Sequence, residues 1–150
     1  MSLFNKVSNS SVHRQQDTSL SPAEAFAAIA LVAVATDGYV SNEETVTVRA
    51  TLEKMHLFRS YPSEVVIRMF NRLGLLLQRM GINGFLGMAL EYLPHDLYET
   101  VFAVVTDIVL ADGEVTQEEE KLLNSLYRAL SIPESTAIKI IDVMIIKNKG

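Results

Sequence analysis

Carboxylates recur in two short stretches of this chain that share one pattern. The first stretch covers residues 37–44, and the second covers residues 112–119, which lie 75 positions further on. Both have the order Asp-Gly-x-Val-(Ser/Thr)-x-Glu-Glu, so five positions are identical and a sixth is Ser against Thr. Hard cations such as Ca²⁺ and Mg²⁺ prefer carboxylate oxygens as ligands. One interpretation of the pattern is therefore a divalent-cation site.

A second interpretation gives each residue of the pattern a folding role. Gly38 and Gly113 would end a helix as the left-handed C′ residue, and the Ser or Thr would cap the next helix. A Glu three residues after the cap completes a capping box, and the Asp can bond to nearby turn amides. The predicted boxes are Ser41 with Glu44, and Thr116 with Glu119. Both interpretations stay open at this point.

The pattern does not make an EF-hand. Its Asp, Gly, Val and final Glu fit the back half of an EF-hand loop, but the positions of the first ligands would be occupied by apolar helix residues. Those residues are Ala33 and Ala35 in one copy, and Ile108 and Leu110 in the other. Any metal would have to be shared between the turns, or be held by one turn and water.

Asp107 is a further candidate, because it stands in an otherwise apolar segment about one helical turn before Asp112. A carboxylate in such a position has to be solvated, paired or bound to a ligand. It is either a cation ligand or the partner in a structural ion pair. The arginines considered as its partner are Arg68, Arg72 and Arg79.

Composition excludes several classes of function. The formal net charge of −5 argues against nucleic acid and against an anionic membrane surface as direct partners. The chain has no Cys, so disulfides, thiolate ligands and cysteine redox chemistry are excluded. No uninterrupted apolar run approaches the roughly 20 residues of a membrane span, and the first 20 residues lack a signal-peptide core. We therefore expect a soluble, cytoplasmic protein without direct membrane insertion.

Helical periodicity predicts an all-α fold of about seven helices. Two of them, residues 23–36 and 96–111, are apolar around most of their circumference and should be central. Each is followed by an acidic turn and an amphipathic helix, which gives two pseudo-symmetric helix-turn-helix halves. We expect a mobile arm over residues 1–20 and a single domain over residues 21–150.

Three finer expectations concern the helices outside these hairpins. One helix should begin at Pro62 and either end or kink at Gly74, with helix continuing from Leu75 to Met80. A turn over residues 81–84 and a short helix over residues 85–93 should follow. The last helix begins at Pro133. Its predicted inner face consists of Ile138, Ile141 and Ile145.

The doubled motif resembles the TerB-like family of tellurite-resistance proteins. It consists of Thr36-Asp37-Gly38-x-Val40-Ser41-x-Glu43-Glu44 and Leu110-Ala111-Asp112-Gly113-Glu114-Val115-Thr116-x-Glu118-Glu119, and the resemblance extends over residues 20–146. It implies an all-helical, non-enzymatic module in tellurite and stress resistance, with metal-linked signalling and a partner membrane protein of the TerC type. The ligands that it implies for Ca²⁺, Mg²⁺ or Mn²⁺ are Asp37, Glu44, Asp112 and Glu119, with Glu43 and Glu118 as weaker candidates.

Three hypotheses of function follow. The favoured one is a non-catalytic TerB-like module that binds or senses a divalent cation and docks on a partner. The alternative is a metal-free interaction or oligomerisation module, for which a homodimer is one form. A hydrolase with paired carboxylates is the third and requires two acids that converge in a pocket.

Overall fold

The computed structural model describes residues 19–35, 38–111 and 113–150. Within these ranges the chain forms six α-helices, two 3₁₀-helices and no β-strand, which confirms the all-α prediction. Most of the predicted N-terminal arm, residues 1–18, lies outside the described ranges. The helices are α1 (Pro22–Val32), α2 (Asn42–Glu53), η1 (His56–Phe58), α3 (Ser63–Tyr92), η2 (His95–Leu97), α4 (Tyr98–Leu110), α5 (Gln117–Ala129) and α6 (Glu134–Lys147).

Helix α1 begins with a capping box and is buried almost throughout. Ser21 Oγ accepts from the Glu24 amide at 3.1 Å, while Glu24 Oε1 accepts from the Ser21 amide at 3.0 Å. From Ala25 to Val32 every side chain is buried, as expected of a helix that is apolar all round.

The α-helix was expected to reach Thr36, but it ends at Val32. Three successive bonds between residues three apart then carry the chain to Ala35, at 3.1–3.3 Å, which is the tighter 3₁₀ pattern. Gly38 and Gly113 have the expected positive φ, at 75° and 82°. Neither is the C′ residue, because Gly38 follows the 3₁₀ segment and Gly113 stands two residues after the α4 cap, Ala111.

Helix α3 is one run of 30 residues interrupted at a single residue. Gly81 has φ 77° and ψ 165°, a backbone conformation essentially restricted to glycine. The predicted turn over residues 81–84 is thus shortened to this kink, and the second arm resumes immediately after it. Counting the two arms separately gives the seven helices that the periodicity predicts.

Of the helices in the described ranges, α3 alone is long and apolar enough to cross a membrane by length and composition. Its buried residues on both sides of the kink, including Leu73, Leu77 and Phe85, belong to the protein core. Core helices pass the same test of length and composition, so the observation is weak support for a membrane span.

The two halves repeat one arrangement. Helices α1 and α2 correspond to α4 and α5, with caps at Ser41 and Thr116. The third helix of each half follows a Pro in its N-cap position, Pro62 before α3 and Pro133 before α6. Helix α1 packs chiefly on α3, α4 packs chiefly on α6, and α1 contacts α4. The two apolar helices are therefore central, as predicted.

The inner face of α6 differs from the prediction. Ala137 is buried and Ile141 is packed against the core, whereas Ile138 and Ile145 are exposed. Because isoleucines stand on every side of the helix, its periodicity does not determine which stripe faces α4. The prediction is right for Ile141 and wrong for Ile138 and Ile145.

Candidate functional site

Both acidic turns lead into the predicted capping boxes. Glu44 Oε1 accepts from the Ser41 hydroxyl at 2.8 Å and from the Ser41 amide at 3.4 Å. Glu119 Oε1 accepts from the Thr116 amide at 2.9 Å. In return, the amides of the two Glu residues donate to the cap hydroxyls at 3.2 and 3.1 Å. The folding role of these two residues is therefore confirmed.

Each capping box engages only one carboxylate oxygen. Among the residues that the structure describes, none donates a hydrogen bond to Oε2 of Glu44 or to Oε2 of Glu119. A cap and a cation ligand are thus compatible in the same side chain, because one oxygen remains for a ligand or water.

Three predicted carboxylates line one cleft of about 450 Å³, where α2 meets the C-terminal ends of α4 and α6. They are Glu43, Glu44 and Asp107. Polar groups of Thr47, Thr51, Lys147 and Asn148 also line the cleft. The apolar part of the lining consists of Val34, Val48, Ile108 and Ala111.

Asp107 is already paired in this cleft. Its Oδ1 accepts from Lys147 Nζ at 3.1 Å and from Asn148 Nδ2 at 2.8 Å. Asn148 Nδ2 also donates to the Met144 carbonyl at 2.8 Å, which orients the amide toward Asp107. Asp107 therefore forms a structural ion pair, as one of the two interpretations predicted. Its partner is at the end of α6, so the pair joins α4 to α6.

None of the three arginines considered for Asp107 forms that pair. Arg72 instead bonds to Glu24 Oε2, and its other terminal nitrogen donates to the Ser19 carbonyl at 3.2 Å. The reason is packing: α3, which carries these arginines, lies mainly against α1, whereas α4 lies mainly against α6.

The remaining candidate ligands are not in this cleft. Glu118 and Glu119 lie in the first turn of α5 and do not line it. Asp37 and Asp112 lie outside the described residues. In the part of the chain that the structure covers, no three His, Cys, Asp or Glu side chains are arranged to hold a metal ion. The metal assignments of Asp37, Glu44, Asp112, Glu119 and Asp107 stay predictions.

Sequence reasoning missed Thr47 and Thr51, which line the cleft beside the predicted Glu43. Glu43, Thr47 and Thr51 follow one another at intervals of four, the spacing of a single helix face. Thr47 Oγ1 donates to the Glu43 carbonyl at 3.0 Å, and Thr51 Oγ1 donates to the Thr47 carbonyl at 3.1 Å. The hydroxyl oxygens keep their capacity to accept, so they extend the set of oxygen atoms at the cleft.

The cleft has an excess of negative charge. Three carboxylates line it against one ammonium group, that of Lys147. Clefts that are lined by one sign of charge raise the local concentration of counter-ions. This charge balance therefore favours a positively charged ligand over a negatively charged one.

The profile of the family described as "Tellurite resistance protein TerB" matches residues 23–142, which include both acidic turns and all of the helices except the first residue of α1 and the last five of α6. The chain belongs to this family. No curated protein and no solved structure shows significant similarity to it. The helical repeat and the family together define a TerB-type module in the context of tellurite resistance.

Proposed function

We propose that this chain is a non-catalytic TerB-family module of tellurite and stress resistance that takes a divalent cation at the acidic cleft and docks on a protein partner. The observation that carries the proposal is the convergence of Glu43, Glu44 and Asp107 on one cleft. Lys147, whose ammonium group pairs with Asp107, balances only one of these three carboxylates, so negative charge remains for a cationic ligand.

The chemistry favours a hard cation. The available ligands are carboxylate and hydroxyl oxygens, which suit Ca²⁺, Mg²⁺ or Mn²⁺. Water completes the coordination sphere, because few protein ligands converge. Asp37 and Asp112 are the further ligands that we propose. Since Lys147 and the metal compete for Asp107, binding should be weaker than in a site of unpaired carboxylates.

The pairing of the carboxylates supports a non-catalytic role. A carboxylate that acts as acid or base must be free to exchange a proton with a substrate. Here Asp107 Oδ1 is bonded to Lys147 and Asn148, and Glu44 Oε1 is bonded to its own helix cap. Two of the three carboxylates that line the cleft thus have structural partners already, which favours a non-catalytic role over the hydrolase hypothesis.

The partner that we propose follows from the family. It is an integral membrane protein of the TerC type, which the module meets from the cytoplasmic side without inserting into the bilayer itself. The net charge of −5 is in keeping with a basic surface on that partner.

A metal-free interaction module is the second candidate. It is favoured by the capping boxes, in which Glu44 and Glu119 have a sufficient structural role. It is also favoured by the lack of a three-ligand cluster in the described ranges. In this alternative Asp107 serves only to tie α6 to α4.

Calorimetric titration with CaCl₂, MgCl₂ and MnCl₂ separates the two candidates. We expect heat of binding for the unmodified chain with at least one of these cations, and its loss in Asp107→Asn. Glu99→Gln is the matched control, because Glu99 is an exposed acid on the same helix at its opposite end. Absence of heat with all three cations would leave the metal-free module.

A further inference from the structure

The outward face of α6 carries large apolar side chains that nothing in the described structure covers. Ile138, Val143, Ile145 and Ile146 are 51%, 57%, 44% and 67% exposed. Single exposed apolar residues are common on soluble proteins, but four on a helix of 14 residues form a patch. Patches of this kind mark contact surfaces.

Two opposite charges lie within the same patch. Lys139 and Asp142 are both exposed, and their positions place them between Ile138 and Ile146 on the outer side of the helix. Neither side chain forms an ion pair with a residue in the described ranges. The patch thus contains one positively charged and one negatively charged side chain, three residues apart.

This pattern is complementary to itself in an antiparallel arrangement. When two copies of α6 pack antiparallel across a two-fold axis, a residue i of one copy meets residue j of the other, and j meets i. Alignment of Lys139 with Asp142 of the second copy forms two equivalent ion pairs. The same register places Ile146 next to the small Ser135 of the second copy. A parallel arrangement would instead place each charge beside its own kind.

We propose that the outward face of α6 binds a second copy of this chain, forming an antiparallel, two-fold symmetric homodimer. Charge self-complementarity favours a second copy over an unrelated partner. An anionic membrane surface fits less well, because Asp142 lies near the centre of the patch and the chain is acidic overall.

The dimer does not depend on the cation. The proposed interface uses the side of α6 that faces away from α4, whereas Asn148 points from the opposite side toward Asp107. A chain that binds no cation can therefore still dimerise, and failure of one proposal leaves the other standing.

Charge reversal tests the interface on the full chain by sedimentation equilibrium, at concentrations up to about 100 μM, where a dimer of micromolar Kd is populated. We expect a dimer for the unmodified chain. Lys139→Glu and Asp142→Lys should each be monomeric, because each places like charges opposite one another. Mixing the two variants should restore a dimer, and so should combining both changes in one chain.

The control is Arg68→Glu, an equal charge reversal at an exposed position of α3, which should leave the dimer intact. Restoration by mixing also separates a disrupted interface from a misfolded chain, since two misfolded variants would not rescue each other. A monomeric unmodified chain over the whole concentration range would overturn the proposal. A dimer whose mass is insensitive to either charge reversal would overturn it as well.

Discussion

Lys147 Nζ lies 3.1 Å from Asp107 Oδ1, so the last turn of α6 is joined to the second central helix across 40 residues of sequence. The Lys147 side chain is 59% exposed, and that of Asp107 is 23% exposed. A pair with one partner so exposed contributes only about 0–1 kcal/mol to stability. The main consequence of this ion pair is that the positive charge of Lys147 lies next to Asp107, a candidate cation ligand of the cleft.

Removal of this charge should strengthen cation binding. In Lys147→Met the aliphatic part of the side chain is largely retained, while the competition for Asp107 is lost. We expect the affinity for the preferred divalent cation to rise by about tenfold, equivalent to about 1.4 kcal/mol, with little change in thermal stability. Lys149→Met is the control for calorimetry, because Lys149 lies two residues further along and forms no ion pair within the described residues. Equal affinities in both variants would contradict competition by Lys147.

The capping boxes of the two acidic turns should contribute similar amounts to stability. Ser41→Ala and Thr116→Ala each remove the hydroxyl that accepts from the helix amide, which should lower the free energy of unfolding by about 1 kcal/mol. Urea denaturation followed by circular dichroism measures the loss. Ser125→Ala, at an exposed position inside α5, should be neutral or slightly stabilising. A loss confined to one of the two caps would show that the halves are not energetically equivalent.

Replacement of Glu24 should lower the free energy of unfolding more than replacement of Glu44, which has the same position in the Ser41 capping box. Glu24 Oε1 completes the box with Ser21, and its Oε2 accepts from Arg72 of α3. We expect Glu24→Ala to cost about 1.5–3 kcal/mol, the range for a hydrogen bond to a charged group. Glu44→Ala should cost about 1 kcal/mol, because only the cap is lost. The comparison needs unfolding curves for both variants, and equal costs would mean that the Arg72 contact adds nothing.

The kink in α3 offers a matched pair of glycine substitutions. Gly81→Ala should destabilise by about 1–3 kcal/mol, because alanine is strained at φ 77° and ψ 165°. Gly87→Ala lies in the regular second arm, where an added Cβ meets nothing within 4 Å, and should stabilise by up to about 1 kcal/mol. Thermal unfolding of both variants tests the sign, and a stabilising Gly81→Ala would show that the kink is not required.

Local signals predicted most of the fold. Ser41 and Glu44, like Thr116 and Glu119, are close in sequence, so their capping boxes follow from short-range rules. The almost entirely apolar character of residues 23–36 predicted a central helix for the same reason. These features depend on the chain within one or two helical turns.

The cleft could not be predicted in this way. Asp107 meets Lys147 only because α6 packs on α4, and no periodicity in either segment encodes that contact. The outward face of α6 was missed for a related reason. With isoleucines on all sides of the helix, only the tertiary contacts of Ala137 and Ile141 determine which side is buried.

The most direct test of the central claim is line broadening by Mn²⁺ in amide NMR spectra of the labelled chain. A paramagnetic ion broadens the signals of nearby nuclei, so it locates a bound cation without a mutation. We expect broadening to begin at Glu43, Glu44, Asp107 and Asn148, and Mg²⁺ or Ca²⁺ in excess should reverse it. Broadening that is centred on the first turn of α5, or no localised broadening at all, would contradict a cation site in the cleft.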